Sequence, residues 1–464
     1  MKKLILLTIL FITSVINAQD VTGDWYGLLK FPGGQLRINL HVTSTDDGYS
    51  ATMDSPDQGA NGIPVQTTTF KDNKLTFAIP QGAIKYEGTY KNESIEGTFT
   101  QNGQPLPLNF SREKVEITKA KRPQEPKKPY PYYTEDVKFT NPRANIELAG
   151  TLSLPEKEGN FPAVVLISGS GPQNRDEELL EHKPFLVLAD YLTRNGIAVL
   201  RYDDRGVGES GGEFKDATTK DFADDAEAAF EYLKSRPEIN KNKVGLIGHS
   251  EGGTIAPIIA AKNKSVAFIV MLAGTAIPGD EILMLQNYLI NKAEGMPDEE
   301  LTKLGNINMT IYNAVKQEKD PKKLKEKLSE IYQTELKPVF IAKGIPESQV
   351  NQYITLQINE ISSPWYSYFI RYNPAPAIEK VQCPILALNG ENDLQVPANA
   401  NLGAIKDIAK KSGNKHVTVK ELPGLNHLFQ ESATGAPNEY SSIEQTIAPV
   451  VLETISEWIN KQSR

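Results

Sequence analysis

Short runs in which apolar and polar residues alternate fill the first part of the chain, from about residue 20. Clear examples are Leu36–Val42, Lys74–Ile79, Ala83–Tyr90 and Ser94–Thr100, and turn signals such as DDG, KDN, KNE and QNG lie near or between them. A period of two is that of a strand with one buried face. Strands at about ten-residue spacing predict a small all-β antiparallel domain, a barrel or a sandwich, over residues 19–118.

A segment rich in proline and basic residues, KAKRPQEPKKPYPYY, follows at residues 119–133. Proline lacks the N–H that helix interiors and central strands require, so neither element is expected here. The composition predicts a semi-rigid, solvated linker between two domains rather than a surface that binds a partner.

From about residue 134, buried apolar runs alternate with amphipathic helical stretches. The runs AVVLI, IAVLR, KVGLI, VAFIVML and PILAL begin at residues 163, 197, 243, 266 and 384. Helices are expected near residues 185–194, 219–235, 252–262, 399–411 and 441–461. This alternation predicts right-handed βαβ units and a mostly parallel sheet covered on both faces. It breaks over about 276–375, so we expect one α/β domain, residues 134–464, with a helical cap inserted in it.

Residues 1–18, MKKLILLTILFITSVINA, combine two lysines, an apolar run from Leu4 to about Ile12, and small or polar residues up to Ala18. This order is typical of a cleavable signal peptide. The apolar run is shorter than the roughly 20 residues that cross a bilayer. We therefore expect an exported protein, periplasmic or secreted, with no membrane span after cleavage.

The composition excludes several classes of protein. Hydrophobic residues make up 39% of the chain and charged residues 23%, which is ordinary globular usage. The net charge of −8 and the lack of a long basic run disfavour nucleic-acid binding. The single cysteine, Cys383, excludes an intrachain disulfide and a cysteine-based zinc site. We expect no cofactor and no metal site.

One short motif carries the first chemical signal. Gly248-His249-Ser250-Glu251-Gly252 follows a buried strand and precedes a helical segment. In the G-x-S-x-G context a strand turns sharply into a helix and exposes the serine at the tip of the turn. The motif predicts Ser250 as a nucleophile; a glycine-rich turn without chemistry is the alternative.

A serine nucleophile needs an imidazole to accept its proton, and the chain has only five histidines. His41 lies in the β domain, His182 comes before the serine on the entry side of the sheet, and His416 begins a strand. The side chain of His249 should point away from the serine that follows it. His427, in the loop PGLNHLF after the last strand, remains as the base.

A carboxylate should orient that imidazole from the end of an intervening strand. Asp393 stands in the loop NGENDLQVP after the strand Ile385–Leu388, and Glu391 is the alternative two positions earlier. The order Ser250, Asp393, His427 is that of α/β-hydrolases rather than of trypsin-like or subtilisin-like enzymes.

An oxyanion needs backbone donors set in advance. One should be the N–H of Glu251, directly after the nucleophile. The second should come from the glycine-rich loop after the first buried parallel strand, where we choose Ser170, with its neighbour Gly171 as the alternative.

Residues 134–464 resemble the exported α/β-hydrolase esterases. The segments LISGSGPQNRD, LRYDDRGVGES, GHSEGG, NGENDLQVP and GLNHLF carry the likeness in order and spacing. The nearest likeness is to bacterial carboxylesterases with a β-rich domain before the hydrolase domain and a helical cap within it. The resemblance implies a triad of Ser250, Asp393 and His427, and an oxyanion hole from Ser170 and Glu251. Many lipases have a histidine where this chain has Ser168.

Other charged residues are interpreted as structural. Asp203, Asp204 and Arg205 follow a strand away from the nucleophile and should form ion pairs and a tight turn. Asp224 and Asp225, in the helix DFADDAEAAFEYL, should belong to its solvated face.

An aromatic cluster, SSPWYSYFIRY, ends the inserted segment. Trp365, Tyr366 and Phe369 either form the core of the cap or line the pocket for the acyl or alcohol group, because the cap should hang over the strand ends. The sequence leaves these two alternatives open.

The leading hypothesis is a serine carboxylesterase that hydrolyses short- to medium-chain esters of small molecules through an acyl-enzyme. A serine peptidase or aminopeptidase on the same fold is the second, because a triad does not choose between ester and amide. A non-catalytic glycan-binding protein, in which the β domain does the binding, is the third, and the complete triad argues against it.

Overall fold

The computed structural model describes residues 20–31, 34–101, 103–116, 121–342 and 345–463. The chain divides into two compact units, Met1–Thr118 and Lys119–Arg464, each with its own apolar core. The predicted signal peptide, residues 1–18, lies outside the described residues.

The N-terminal unit is one antiparallel sheet with ten strands in its described residues. The strands are β1 Gly23–Phe31, β2 Gly34–Thr45, β3 Gly48–Ser55, β4 Ala60–Val65, β5 Thr67–Lys71, β6 Lys74–Ile79, β7 Ile84–Lys91, β8 Ser94–Gln101, β9 Gln104–Pro107 and β10 Phe110–Ser111. Their order is β4-β3-β2-β1-β10-β8-β7-β6-β5, with β9 paired to β8. β4 and β5 are the two edge strands of this order, yet only one residue separates them in the chain. The sheet must therefore curl until its two edges come close together. The predicted all-β antiparallel domain is confirmed as a barrel-like sheet.

Alternation along these strands produces the core of the N-terminal unit. In β6 the second, fourth and sixth side chains are buried, as the period of two predicts. Trp25, Phe99 and Phe110 are fully buried in this core, and the ring of Tyr86 stacks on that of Phe77 at 5.0 Å. These large aromatic groups pack with aliphatic side chains such as Leu40, Leu75 and Ile95 in one apolar core.

The second unit is built on an eight-stranded sheet, counted over its described residues, in the order β11-β12-β14-β13-β15-β16-β17-β18. The strands are β11 Tyr133–Asn141, β12 Ile146–Leu154, β13 Phe161–Ile167, β14 Ala198–Tyr202, β15 Ile239–His249, β16 Ile269–Leu272, β17 Ile385–Gly390 and β18 Val417–Leu422. β12 pairs antiparallel with β11 and β14, and the other neighbours pair parallel. The mostly parallel sheet is confirmed, with an antiparallel hairpin at one edge.

Helices cover both faces of this sheet, as predicted. In chain order they are α1 Pro184–Arg194, α2 Thr219–Ser235, α3 Glu251–Ala260, α4 Gly279–Ala293, α5 Asp298–Gln317, α6 Pro321–Ile331, α7 Lys337–Ala342, α8 Glu347–Ile361, α9 Pro364–Arg371, α10 Ala375–Ile378, α11 Ala398–Ser412 and α12 Pro449–Gln462. α1 and α12 bury side chains in one apolar layer, and α2, α3 and α11 in the other. The last helix begins at Pro449 rather than near residue 441, because proline is suited to the first helical position.

The cap lies between β16 and β17 and consists of α4 to α10 with a π-helical turn, Tyr332–Leu336. It has an apolar cluster of its own, centred on buried residues such as Val315 and Leu328. The predicted helical insertion is confirmed. No helix in the described ranges is long and apolar enough to cross a membrane.

Two side chains of the expected linker, Arg122 and Gln124, bond to the second unit. The Arg122 guanidinium donates hydrogen bonds to four backbone carbonyls of the second unit, those of Leu180, Glu181, Ser441 and Ile443. The Gln124 side chain accepts from the N–H of Thr446 and donates to the oxygen of Ile447. Residues 122–124 are therefore held by the second unit and are not solvated as the composition predicts.

Candidate active site

The turn between β15 and α3 consists of one residue, Ser250. Its φ of 51° and ψ of −114° lie outside the conformations that a serine ordinarily adopts. Its N–H donates to the oxygen of Leu272 at 2.8 Å, which ties the strained turn to the neighbouring strand. Strained backbone of this kind persists where the surroundings hold it, and it is the geometry of a nucleophile elbow.

The two glycines of the motif are required by close backbone contacts. A Cβ at Gly248 would lie 1.9 Å from the oxygen of Gly252, and a Cβ at Gly252 would lie 2.1 Å from the oxygen of Ile167. Any side chain at either position would therefore force the turn apart. The spacing that marked the sequence is thus a packing requirement of this elbow.

His427 lies in the loop after β18, and its Nδ1 is 2.9 Å from Asp393 Oδ2. Both side chains are almost completely buried. Asp393 Oδ1 accepts the N–H groups of Gln395 and Val396 at 2.9 and 2.8 Å. These donors satisfy the buried carboxylate and fix its orientation toward the imidazole.

Glu391, the alternative to Asp393, is exposed and does not orient His427. Its Oε2 accepts the N–H of Gly424 at 2.9 Å. Of the two acids in this loop, the structure brings Asp393 to the imidazole.

Two loops meet beside the elbow. The ring of His249 lies 4.9 Å from the ring of His427, and its Nε2 donates to the backbone oxygen of His427 at 3.0 Å. A Cβ at Gly169 would lie 3.3 Å from Ser250 Cβ, so the glycine-rich loop after β13 touches the serine. The structure thus gathers the elbow, the His427 loop and the glycine-rich loop in one place.

One expected oxyanion donor, Glu251, lies at the start of α3, and the other, Ser170, lies in the glycine-rich loop after β13. Glu251 is the first residue of α3, so its N–H has no acceptor within the helix. In the glycine-rich loop the N–H of Gly169 is already bonded to Glu177 Oε1, at 2.6 Å. The next backbone N–H in this loop, that of Ser170, is the expected second donor. Gly171 has a φ of 97°, a conformation that favours glycine.

The side chain of Glu251 has a structural part that the sequence did not reveal. It is 3% exposed, and its Oε1 accepts from Thr219 Oγ1 at 2.6 Å and from Trp365 Nε1 at 2.8 Å. Burial raises the pKa of Glu251 to about 7. One buried carboxyl therefore links the elbow to α2 and to the cap helix α9.

The aromatic cluster of α9 is packed at the junction of the cap and the hydrolase core. The ring of Trp365 stacks on that of Phe369 at 5.2 Å and meets the edge of Tyr366 at 4.8 Å. Trp365 packs against the core of the sheet, Tyr366 against the cap cluster, and Phe369 against both. The cap-core role is therefore present.

In the acidic turn after β14, Asp203 and Arg205 form the expected ion pairs, and Asp204 has a different kind of partner. Arg175 Nη2 lies 2.6 Å from Asp203 Oδ2, and Arg205 Nε lies 2.6 Å from Asp225 Oδ2. Asp204 instead accepts from Ser168 Oγ at 2.7 Å, at the base of the glycine-rich loop. Burial raises the pKa of Asp204 to about 8.

Asp225 corrects a sequence-based expectation. It is 1% exposed and also accepts from Asn141 Nδ2 at 2.6 Å, so it does not belong to a solvated helix face. Asp224 pairs with Arg143 and Lys220 at 2.7 and 2.8 Å, nearer the surface. The helical pattern could not reveal this, because the buried partner Arg205 lies outside the helix.

Two of the other histidines, His182 and His41, have structural surroundings. His182 is buried, with its ring nitrogens near Thr446 Oγ1 and the oxygen of Tyr440, and burial lowers its pKa. His41 lies between two aspartates of the N-terminal sheet. No group of three or more His, Cys, Asp or Glu side chains in the part of the chain that is described could hold a metal ion.

Comparison with known proteins places relatives among hydrolases and transferases. A sequence profile of the family described as "Hydrolase_4: Serine aminopeptidase, S33" matches residues 182–356, less than half of the chain, and this range contains Ser250 but not Asp393 or His427. Esterase EstD of Thermotoga maritima is 29% identical over 317 residues, 68% of this chain and 66% of EstD. The chain thus spans slightly less than two thirds of that relative. Polyketide transferase claH of Penicillium crustosum is 25% identical over 277 residues, 55% of this chain and 86% of claH.

A solved structure of the Pyrococcus furiosus esterase Pf2001 covers 74% of this chain and 100% of its own, with a TM-score of 0.42 and 16% identity.

Proposed function

We propose that this chain, an enzyme with the α/β-hydrolase fold, is a serine carboxylesterase that acts on small-molecule esters. The fold, predicted from the sequence, is confirmed by the sheet order and helical cover, and the relatives include an esterase. The observation that carries the proposal is the serine in a strained elbow beside a buried His–Asp pair.

Ser250, His427 and Asp393 would act in the roles that a triad assigns. Ser250 Oγ attacks the ester carbonyl carbon while His427 Nε2 takes the hydroxyl proton. His427 then delivers that proton to the departing alkoxide oxygen, and an acyl-enzyme remains on Ser250. Water, deprotonated by His427, attacks the acyl carbon, and the acid leaves as Ser250 regains its proton.

The negative oxygen of each tetrahedral intermediate would accept from the backbone N–H groups of Glu251 and Ser170, with Gly171 as the alternative to Ser170. Each such donor contributes roughly 2.7–4 kcal/mol to the stability of the transition state. Support comes from the position of Glu251 at the start of α3 and from the contact of the glycine-rich loop with Ser250.

The cap would limit the size of the acyl group, which favours short- to medium-chain esters. Trp365, Tyr366 and Phe369 are the proposed pocket wall. Support comes from the bond between Trp365 and Glu251, which brings this helix to the residue that follows the nucleophile.

The proposal is tested by turnover of p-nitrophenyl acetate and p-nitrophenyl octanoate, together with Ser250→Ala. We expect hydrolysis, faster with the shorter acyl group, and its loss in the variant while the far-ultraviolet circular dichroism is unchanged. Substantial turnover by a folded Ser250→Ala protein would contradict the assignment of the nucleophile.

A serine aminopeptidase is the second candidate, because the matching family profile carries that description. Aminoacyl-p-nitroanilides distinguish the two candidates. Faster turnover of an aminoacyl anilide than of p-nitrophenyl acetate would favour the peptidase.

We also propose that the protein is exported, to the periplasm or beyond the cell, on the basis of residues 1–18. Fractionation of the producing cells, with sequencing of the N-terminus of the mature protein, tests this. A mature chain that starts after Ala18 is expected, and an uncleaved chain in the cytoplasm would contradict it.

A further inference from the structure

His249 lies directly before the proposed nucleophile, and both nitrogens of its buried ring face acceptors. Nδ1 is 2.9 Å from Glu177 Oε1, and Nε2 is 3.0 Å from the backbone oxygen of His427. A carbonyl oxygen and an ionised carboxylate can only accept hydrogen bonds. A neutral imidazole has one N–H and can satisfy one of these acceptors, whereas the imidazolium satisfies both.

Glu177 is placed to carry the matching negative charge. Its Oε1 also accepts the N–H of Gly169 at 2.6 Å, so two donors converge on one oxygen. Glu177 and His249 are both buried, so water screens their attraction only weakly.

The charged and titratable groups that face His249 come from three loops. Glu177 precedes α1, His427 follows β18, and Asp393, the partner of His427, follows β17. Burial disfavours the charged ring, but Glu177, the His427 carbonyl and Asp393 together outweigh it. The pKa of His249 is therefore raised above its ordinary value.

Two further buried carboxyls lie near the site and bond to other donors. Glu251 accepts from Trp365, and Asp204 accepts from Ser168. The charge of Glu177 contributes to the raised pKa of Asp204, so Glu177→Gln is compared with its parent in chains that both carry Asp204→Asn, which removes that titration.

We infer that His249 is a buried imidazolium that acts as a positioning residue for ester hydrolysis, an inference that rests on the proposed function. One of its bonds holds the main chain of His427. Through Glu177, the other holds the loop in which Gly169 precedes the proposed oxyanion donor Ser170. A single ion pair therefore fixes the base and the oxyanion loop relative to each other.

The sign of the pH dependence follows from the raised pKa. The stabilisation by His249 is complete below the ordinary histidine pKa and is lost as the pH rises through the raised value. Loss of the proton breaks one of the two bonds, so the site should loosen on the alkaline side. The effect should appear in kcat, because the groups released position the reacting atoms.

Protonation is tested without any need for activity, by nitrogen NMR of isotope-labelled histidines in Ser250→Ala. Comparison with the same chain carrying His249→Asn identifies the signals of His249. We expect both ring nitrogens of His249 to be protonated at about pH 7, above the ordinary histidine pKa. One protonated nitrogen at that pH would overturn the inference. Doubly protonated His249 in a wild-type protein that hydrolyses no ester would refute the proposed function and leave the ion pair standing.

The positioning role is tested by Glu177→Gln, which keeps the acceptor oxygen and removes the charge. We expect kcat for p-nitrophenyl acetate to stay near the wild-type value at about pH 6 and to fall about tenfold at about pH 8, because removal of the Glu177 charge lowers the pKa of His249. KM should change by less than about twofold, because the released groups act on the reacting atoms rather than on binding.

The matched control is His182→Asn, which removes another buried histidine of the same unit. Its melting temperature should fall while the alkaline limb of its kcat profile stays in place. If Glu177→Gln lowers kcat by the same factor at every pH, or leaves the dependence of kcat on pH unchanged, the positioning role is overturned.

Discussion

Replacing Asp393 by asparagine should move the proton of His427 to the wrong nitrogen. Asp393 Oδ1 already accepts the N–H groups of Gln395 and Val396. In the variant these donors hold the amide oxygen, so the NH2 group faces His427 Nδ1. An NH2 group only donates, so Nδ1 must accept and the imidazole proton must sit on Nε2. His427 then cannot take the proton of Ser250.

The size of the effect follows from this geometry. In serine proteases, the same change of tautomer lowers kcat by about 10⁴, or about 5.4 kcal/mol of activation free energy. We expect a loss of that order in Asp393→Asn. The free energy of unfolding should fall by about 1–3 kcal/mol, because the NH2 group of Asn389, 3.3 Å from Asp393 Oδ2, would face another donor.

The assay is kcat for p-nitrophenyl acetate, with urea unfolding measured on the same preparations. Glu391→Gln is the matched control, since it changes an exposed acid in the same loop and should keep most of the activity. The reasoning is refuted if folded Asp393→Asn keeps kcat within about tenfold of wild type, far from the 10⁴ loss that the wrong tautomer entails.

Three further substitutions and one truncation test separate features of the structure. Trp365→Phe removes the N–H that donates to Glu251 and should lower the free energy of unfolding by about 1–3 kcal/mol at about pH 8. The loss should be smaller at about pH 5, where the Glu251 carboxyl is protonated. An equal loss at both pH values would exclude this hydrogen bond as the cause. Burial raises the pKa of Asp204 from 3.8 to about 8, so the melting temperature of the wild type should fall as the pH rises through this interval. The fall should be smaller in Asp204→Asn. An identical pH dependence of the two melting temperatures would contradict this. A chain that begins at Lys119 should fold and keep esterase activity, while Arg122→Ala in that chain should lower its melting temperature by several degrees. Insoluble protein from the shorter chain would show that the hydrolase unit needs the N-terminal unit to fold.

The sheet, the cap and the elbow could be predicted because their signals are local. Buried runs alternate with helical stretches at short range, and the glycines at 248 and 252 are required by contacts within the turn. The pairing of His427 with Asp393 could also be predicted, because both follow strands whose carboxyl ends meet at one edge of the sheet.

The second layer of the site could not be predicted, because its partners are far apart in sequence. Glu177 reaches His249 across 72 positions, and Trp365 reaches Glu251 across 114. Glu177 stands in no motif, and the G-x-S-x-G pattern fixes no residue type at position 251. A lone glutamate is ordinarily solvated. Only the fold brings Glu177 and Trp365 to the elbow.

The two errors have the same physical origin. The composition predicts that Arg122 lies in a solvated spacer, yet four carbonyls of the second unit accept its hydrogen bonds. The helical pattern predicts that Asp225 lies on a solvated face, yet Arg205 and Asn141 satisfy it in the interior. In both cases a partner supplied by the tertiary fold overrides the local preference for water.

The central claim, an acyl-enzyme on Ser250, is tested most directly by mass spectrometry of protein quenched with acid during turnover of p-nitrophenyl acetate. We expect the intact mass to increase by one acetyl group and the digested protein to carry that group on the peptide with Ser250. An acetyl group on another residue, or hydrolysis in which no acetylated protein forms although the release of p-nitrophenol shows a burst, would contradict the account.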